Sequence, residues 1–193
     1  MGSSIPDNDS VGVTDTRNVS GTGITNIQLV TITLDTTGGW NGDLYAYLVH
    51  DTGFSVLLNR AGRTLAALDG SASSGMSITF DDAAAADVHT AIPMAGGSVT
   101  ATYQPDGRDV DPLVVFDTTP RSAFMSSFNG LSAEGVWTLF IADQSAGSVA
   151  TATSWTLTIT GIPEPGTAVL ALLAVLPLLR RRSAVRLPHL STL

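Results

Sequence analysis

The sequence predicts an all-β sandwich, and three observations carry that expectation. Short runs of alternating or β-branched residues recur along residues 24–160, separated by Gly, Asn and Asp clusters. Twenty-four Thr and 19 Gly among 193 residues favour strands and turns. An apolar content of 44% with only 13% charged residues lies far from the disordered regime, and the length suits one domain with an appendage.

Taken in order, the expected strands are 24–34, 43–49, 55–58, 76–80, 98–102, 136–142 and 154–160. In the first, Ile27, Leu29 and residues 30–34 alternate with Thr or Gln. In the last, Trp155, Leu157 and Ile159 alternate with Thr, as a half-buried strand demands, so Thr lines the wet face. Trp137 and Trp155 are expected to point inward with a partner for each indole N–H, while Gly130 and Gly135 supply turn conformations. Asp51-Thr52-Gly53 reads as a hairpin turn. An aspartic protease needs two such carboxylates, and Asp35-Thr36-Thr37-Gly38 does not provide the second. Residues 83–86 are the only helical suggestion and are too short to stand without packing.

Charge divides the chain. There are nine Arg, no Lys, 15 Asp and two Glu, for a net charge of −8 and a pI near 4.5, which argues against nucleic acid as a partner. Residues 1–161 hold five Arg against sixteen acids, a net −11, whereas residues 162–193 hold four Arg against Glu164, a net +3. Two segments with different tasks are implied. The absence of Cys removes disulfides, thiolate nucleophiles and Cys-ligated zinc.

Residues 166–179 are 14 residues of weak or no polarity, followed at once by Arg180, Arg181 and Arg182. The run is apolar on every face, so it reads as a membrane-directed helix, with a buried core helix as the alternative. At about 1.5 Å per residue it spans roughly 21 Å, short of a ~30 Å hydrocarbon core. The basic flank is retained on the cytoplasmic side, which places the acidic domain outside. Residues 1–30 hold no basic region followed by an apolar stretch, so the expectation is a displaced start or a fragment.

Pro163-Glu164-Pro165, the apolar run and the Arg180, Arg181, Arg182 cluster resemble, in that order, the PEP-CTERM sorting signal of exopolysaccharide-producing Gram-negative bacteria. The resemblance implies export, transient anchoring in the inner membrane through a C-terminal hydrophobic helix, and recognition of Pro-Glu-Pro by an exosortase-type enzyme. Cleavage near that element would leave the β domain at the cell surface or released. The expected organisation is a β domain at 5–161, a sorting and anchor segment at 162–182, and a basic cytoplasmic tail at 183–193.

Two further stretches resemble the P domain, or P/Homo B domain, of subtilisin-like proprotein convertases. In residues 24–58 a strand leads through a Gly-rich turn to Gly42-Asp43-Leu44 and a hairpin at Asp51-Thr52-Gly53. In residues 128–161 stand Phe128-x-Gly130, Gly135-x-Trp137-x-Leu139, Asp143 and Trp155-x-Leu157. A His often precedes the Gly-Asp-Leu element in the family; Trp40 stands nearby here. The resemblance implies a jelly-roll β-sandwich of the galactose-binding-like kind, and an association with serine endopeptidases.

Chemistry is sparse. Subtilisin-type catalysis needs Ser, His and Asp within mutual reach in a catalytic domain that this sequence does not carry. His50, His89 and His189 are the only histidines; His50 at a hairpin end and His189 in the tail are expected at the surface. The Asp surplus raises Ca²⁺, which takes hard oxygen ligands, and the candidate ligands are Asp81, Asp82 and Asp143. Asp106, Asp109 and Asp111 form a second acidic loop, and solvated acidic loops are the alternative reading of both.

The expected function is a non-catalytic, surface-directed module with a structural or adhesion role in the exopolysaccharide layer. A first alternative is the accessory domain of a secreted subtilisin-like serine endopeptidase whose catalytic domain lies upstream. A second is carbohydrate binding, with Trp40, Tyr45 and Tyr47 as stacking groups.

Overall fold

In the computed structural model, which describes residues 1–163, every expected run forms a strand and further strands join them. In chain order these are β1 (Ser3–Ser4), β2 (Asp9–Val19), β3 (Ile24–Gly38), β4 (Leu44–His50), β5 (Gly53–Asn59), β6 (Ala72–Ser73), β7 (Met76–Phe80), β8 (Ala95–Gly96), β9 (Val99–Tyr103), β10 (Gly135–Asp143) and β11 (Ala150–Pro163). One sheet runs β1-β11-β3-β7-β9, a second runs β2-β10-β4-β5, and β6 pairs with β8. The protein is an all-β sandwich, and Met1–Ile162 form one compact unit.

The alternation read from the sequence sets the inner faces. From the first sheet Ile32, Leu34, Ile78, Phe80 and Trp155 are buried, and from the second Leu44, Leu48, Trp137, Leu139 and Ile141; all belong to one core. Thr takes the outer face as expected: Thr33 and Thr79 stand opposite each other on β3 and β7, with hydroxyls 2.8 Å apart. Leu29 departs from the expected alternation. Ile27 and Val30 are both buried, three residues apart, so the strand changes phase between them and leaves Leu29 42% exposed.

β2 has no counterpart in the sequence reading. It is a polar edge strand whose only neighbour is β10. Gly12, at φ +56°, interrupts its alternation near a register shift opposite Ile141 and Asp143. Residues 83–86 form turns; the short helix is α1 (Val88–Ala91), capped by the Asp87 carboxylate, which accepts from the His89 N–H. β7 and β9 are parallel, so residues 81–98, including α1, make the crossover between them. The hydrophobic segment 166–179 lies outside the described residues, among which no helix is long and apolar enough to cross a membrane.

Candidate functional site

Polar side chains collect where the β3–β4 connection meets the end of β10. The 3₁₀ turn Asn41–Asp43 is buried throughout. The Gly42 N–H donates to the Ser71 carbonyl at 2.8 Å, and a Cβ at Gly42 would sit 2.3 Å from the Ser71 backbone nitrogen. Close backbone contact therefore requires Gly before Asp43. Asp143 stands opposite Leu44 across the β4–β10 ladder, and the Gln144 N–H donates to the Asp43 carbonyl at 2.8 Å. Arg60 completes the group: its Nη2 lies 3.6 Å from Asp43 Oδ1, and its Nε donates to the Gly42 carbonyl.

This end is acidic and buried. Burial first, then the charge of Asp143, pushes the Asp43 carboxyl up to about 7 against the pull of Arg60. Burial also raises Asp143, although its Oδ1 accepts from the Ser145 N–H. Asp43 Oδ2, Asp143 Oδ2 and Asn41 Oδ1 are buried without a hydrogen-bond partner.

A second buried network lies beside it. The Asn59 N–H donates to Asp106 Oδ2, which also lies 2.8 Å from His89 Nδ1; His89 Nε2 donates to the Arg63 carbonyl at 2.9 Å. Both His89 nitrogens face acceptors, which an imidazolium satisfies with two N–H groups. Burial alone would lower the His89 pKa, but the hydrogen bond and charge of Asp106, with the Arg63 carbonyl, leave it raised. Arg108 bridges Asp106 Oδ1 at 3.2 Å and Asp87 Oδ2 at 2.9 Å. Asp106 is thus an ion-paired interior residue rather than part of a solvated loop with Asp109 and Asp111, which are exposed.

His50 corrects a second expectation. It is 3% exposed rather than at the surface, with ring nitrogens 3.0 Å from the Val136 carbonyl and 2.7 Å from the Ser132 carbonyl. Trp137 and Trp155 are buried as expected: Trp137 Nε1 donates to the Ala133 carbonyl at 3.0 Å, and Trp155 Nε1 to Asp15 Oδ2 at 2.6 Å. Gly130 and Gly135 have φ of +84° and +117°, the conformations anticipated for them. Asp51-Thr52-Gly53 is the β4–β5 hairpin turn.

The calcium ligands named from the sequence are not brought together. Asp82 accepts from the Met125 and Ser126 N–H groups, beyond the end of β7, and Asp81 Oδ1 accepts from the Ala83 N–H. Asp143 lies by the Asn41–Asp43 turn, where Asn41 reaches the Gly75 carbonyl at the start of β7. Among the described residues no three His, Asp or Glu side chains gather to hold a metal. The aromatic candidates are divided too. Trp40 borders a hollow with Asp69–Ala72, whereas Tyr45 and Tyr47 border another, and Tyr47 stacks on Phe140 with centroids 4.7 Å apart. Pro163 ends β11; Glu164, Pro165, Arg180, Arg181, Arg182 and His189 lie outside the described residues.

Two crystal structures of the serine protease of Aeromonas sobria resemble this chain. The one in complex with its chaperone is 16% identical with a TM-score of 0.44, covering 82% of this chain and 24% of that one. The protease structure without it is 14% identical with a TM-score of 0.42 and the same coverage. The chain thus spans about a quarter of the length of those proteases. No curated protein matches the sequence. Residues 116–159 match the model of the proprotein convertase P-domain, and that segment carries the buried Phe128, Trp137, Asp143 and Trp155.

Proposed function

We propose that this chain is a non-catalytic β-sandwich module of the P-domain type, acting as the accessory domain of a secreted subtilisin-like serine endopeptidase. The observation that carries the reading is the P-domain match over residues 116–159, on a segment whose Trp137 and Asp143 are structural. The histidine geometry supports its non-catalytic part. His50 faces two backbone carbonyls and His89 is held by Asp106 and the Arg63 carbonyl, so neither hydrogen-bonds a Ser or Thr hydroxyl.

A second reading is favoured by the spacing of Pro163-Glu164-Pro165, the apolar run and Arg180–Arg182. In it the module stands alone, sorted by an exosortase-type enzyme and displayed outside the inner membrane among exopolysaccharide. Both readings leave the chain without its own catalysis. The test is a serine-hydrolase probe with a panel of peptide substrates on the purified chain. The expected result is no labelling and no turnover; labelling of a Ser in residues 1–163 overturns the non-catalytic reading.

A further inference from the structure

Arg17 stands apart from the other arginines of the domain. Arg60, Arg63, Arg108 and Arg121 each donate hydrogen bonds to carbonyl oxygens. Arg17 makes no hydrogen bond or ion pair with a described residue, although residues 1–161 carry sixteen acids. Its guanidinium carbon lies 4.1 Å from the centre of the Trp155 ring, a contact with the π face that gives its N–H groups no oxygen acceptor. The neighbouring acids are engaged elsewhere. Asp15 Oδ2 accepts from Trp155 Nε1, and the Glu134 carboxylate accepts from the N–H groups of Gly21, Thr22 and Gly23 and from the Thr22 hydroxyl.

Arg17 borders a hollow of about 280 Å³ at the side of the sandwich where β2 of one sheet faces β11 of the other. The rest of the lining is Val19, Thr22, Ile24, Leu157 and Ile159. Val19, Ile24, Leu157 and Ile159 are half-buried and pack on the core, so the walls are apolar and fixed from beneath. Thr22 is fixed by Glu134. One guanidinium without a partner thus faces an otherwise uncharged, mostly apolar groove.

Both strands beside the hollow have an open edge among the described residues. β2 pairs with β10 alone, and β11 pairs with β1 only at Thr151 and Ala152, which leaves its edge open on that side from Thr153 onward. An open edge offers backbone donors and acceptors at strand spacing, which another extended backbone matches and a lipid or small amphiphile does not.

We propose that this groove binds an extended peptide segment of a partner protein in which a single carboxylate side chain is flanked by apolar residues. The main chain of the segment adds to β11 along the edge that β1 leaves open. Its apolar side chains enter the hollow against Val19, Leu157 and Ile159, and its carboxylate meets Arg17. Alternate side chains of a strand point the same way, so an Asp or Glu and an apolar residue two positions apart enter together. Guanidinium and carboxylate match in charge and in planar geometry, and apolar walls strengthen that pairing. The net charge of −11 on residues 1–161 opposes a run of acids, which restricts the segment to one carboxylate. This site goes beyond the accessory-domain reading and does not rest on it.

The test is selection of random nonapeptides displayed on phage against the purified full chain, followed by calorimetry with synthetic copies of the enriched peptides. Expected is enrichment of sequences with one Asp or Glu and Val, Ile or Leu at alternate positions, binding at one peptide per chain. Arg17→Gln should weaken binding at least tenfold, and so should replacing the peptide's acid by its amide. Combining the two should cost no more than either alone, which a merely structural role for Arg17 would not produce. Leu157→Thr and Ile159→Thr should each weaken binding too, and either serves if the other fails to fold, while Val114→Ser, exposed at another place, binds as wild type does. No enrichment, or enriched peptides that bind Arg17→Gln as tightly as wild type, overturns the site. Displacement of the peptide by an equal concentration of octanoate overturns peptide recognition in favour of a simple aliphatic carboxylate.

Discussion

His50 lies flat against Trp137, with ring centroids 4.0 Å apart and planes only 4° apart. The two residues are direct partners across the β4–β10 ladder, and the Phe128 ring packs tilted against the indole with centroids 5.0 Å apart. The imidazole also ties the last residue of β4 to residues 132–136 through the Ser132 and Val136 carbonyls. One side chain thus joins a hairpin end, a loop and a core aromatic.

His50→Phe should keep the stack and lose the polar contacts. Two carbonyls would face an apolar ring, which costs about 1–3 kcal/mol for a buried group left unpaired. Urea denaturation of the variant is expected to show that loss with an unchanged m-value; equal stability would mean that water replaces both contacts.

His89 should make stability pH-dependent. Its folded pKa is raised, so its contribution is fully present below the unfolded value of about 6.5 and is lost as pH rises through the folded value. The groups that face it are Asp106, the Arg63 carbonyl and, more distantly, Arg108. The difference in unfolding free energy between wild type and His89→Gln should therefore shrink as pH rises above about 6.5. A difference that stays constant or grows would contradict the assignment of the charged form.

Asp106→Asn should be severe. It leaves Arg108 and His89 without the carboxylate that both share, in a place where neither is solvated. Removing one partner of a buried ion pair typically costs about 3–5 kcal/mol. Chemical denaturation should report a loss of that order, whereas Asp109→Asn, at an exposed position, should change little.

Gly42→Ala tests why Gly stands before Asp43. The added Cβ would meet backbone atoms, Ser71 N at 2.3 Å and the Asp69 carbonyl oxygen at 2.6 Å, and cannot be relieved by a side-chain rotation. Overpacking of this kind costs about 1–3 kcal/mol. A melting curve that matches wild type would show that the Asp69–Ser71 turn is free to move.

The strands that bury one face were legible from alternation, because period-two burial leaves its mark in composition: Trp137, Leu139 and Ile141, or Ile32 and Leu34, sit in the core where their spacing put them. β2 was not legible, since an edge strand with Thr14, Asp15, Thr16, Arg17 and Asn18 in succession has little burial to record. The polar interior was hidden for a different reason. His89 and Asp106 are 17 residues apart and Asp43 and Asp143 about a hundred, and only the crossover and the β4–β10 register bring them into contact range. Asp82 looked like Asp143 in the sequence; one caps a turn in solvent reach and the other faces the interior.

The central claim, a P-domain-type module serving a larger secreted peptidase, is tested most directly by the intact mass of the native protein in membrane and extracellular fractions of the producing cells. The account predicts a species far heavier than 19.9 kDa that contains this sequence together with a catalytic domain. A species below 19.9 kDa ending near Glu164 would contradict it and establish a processed, free-standing surface module instead.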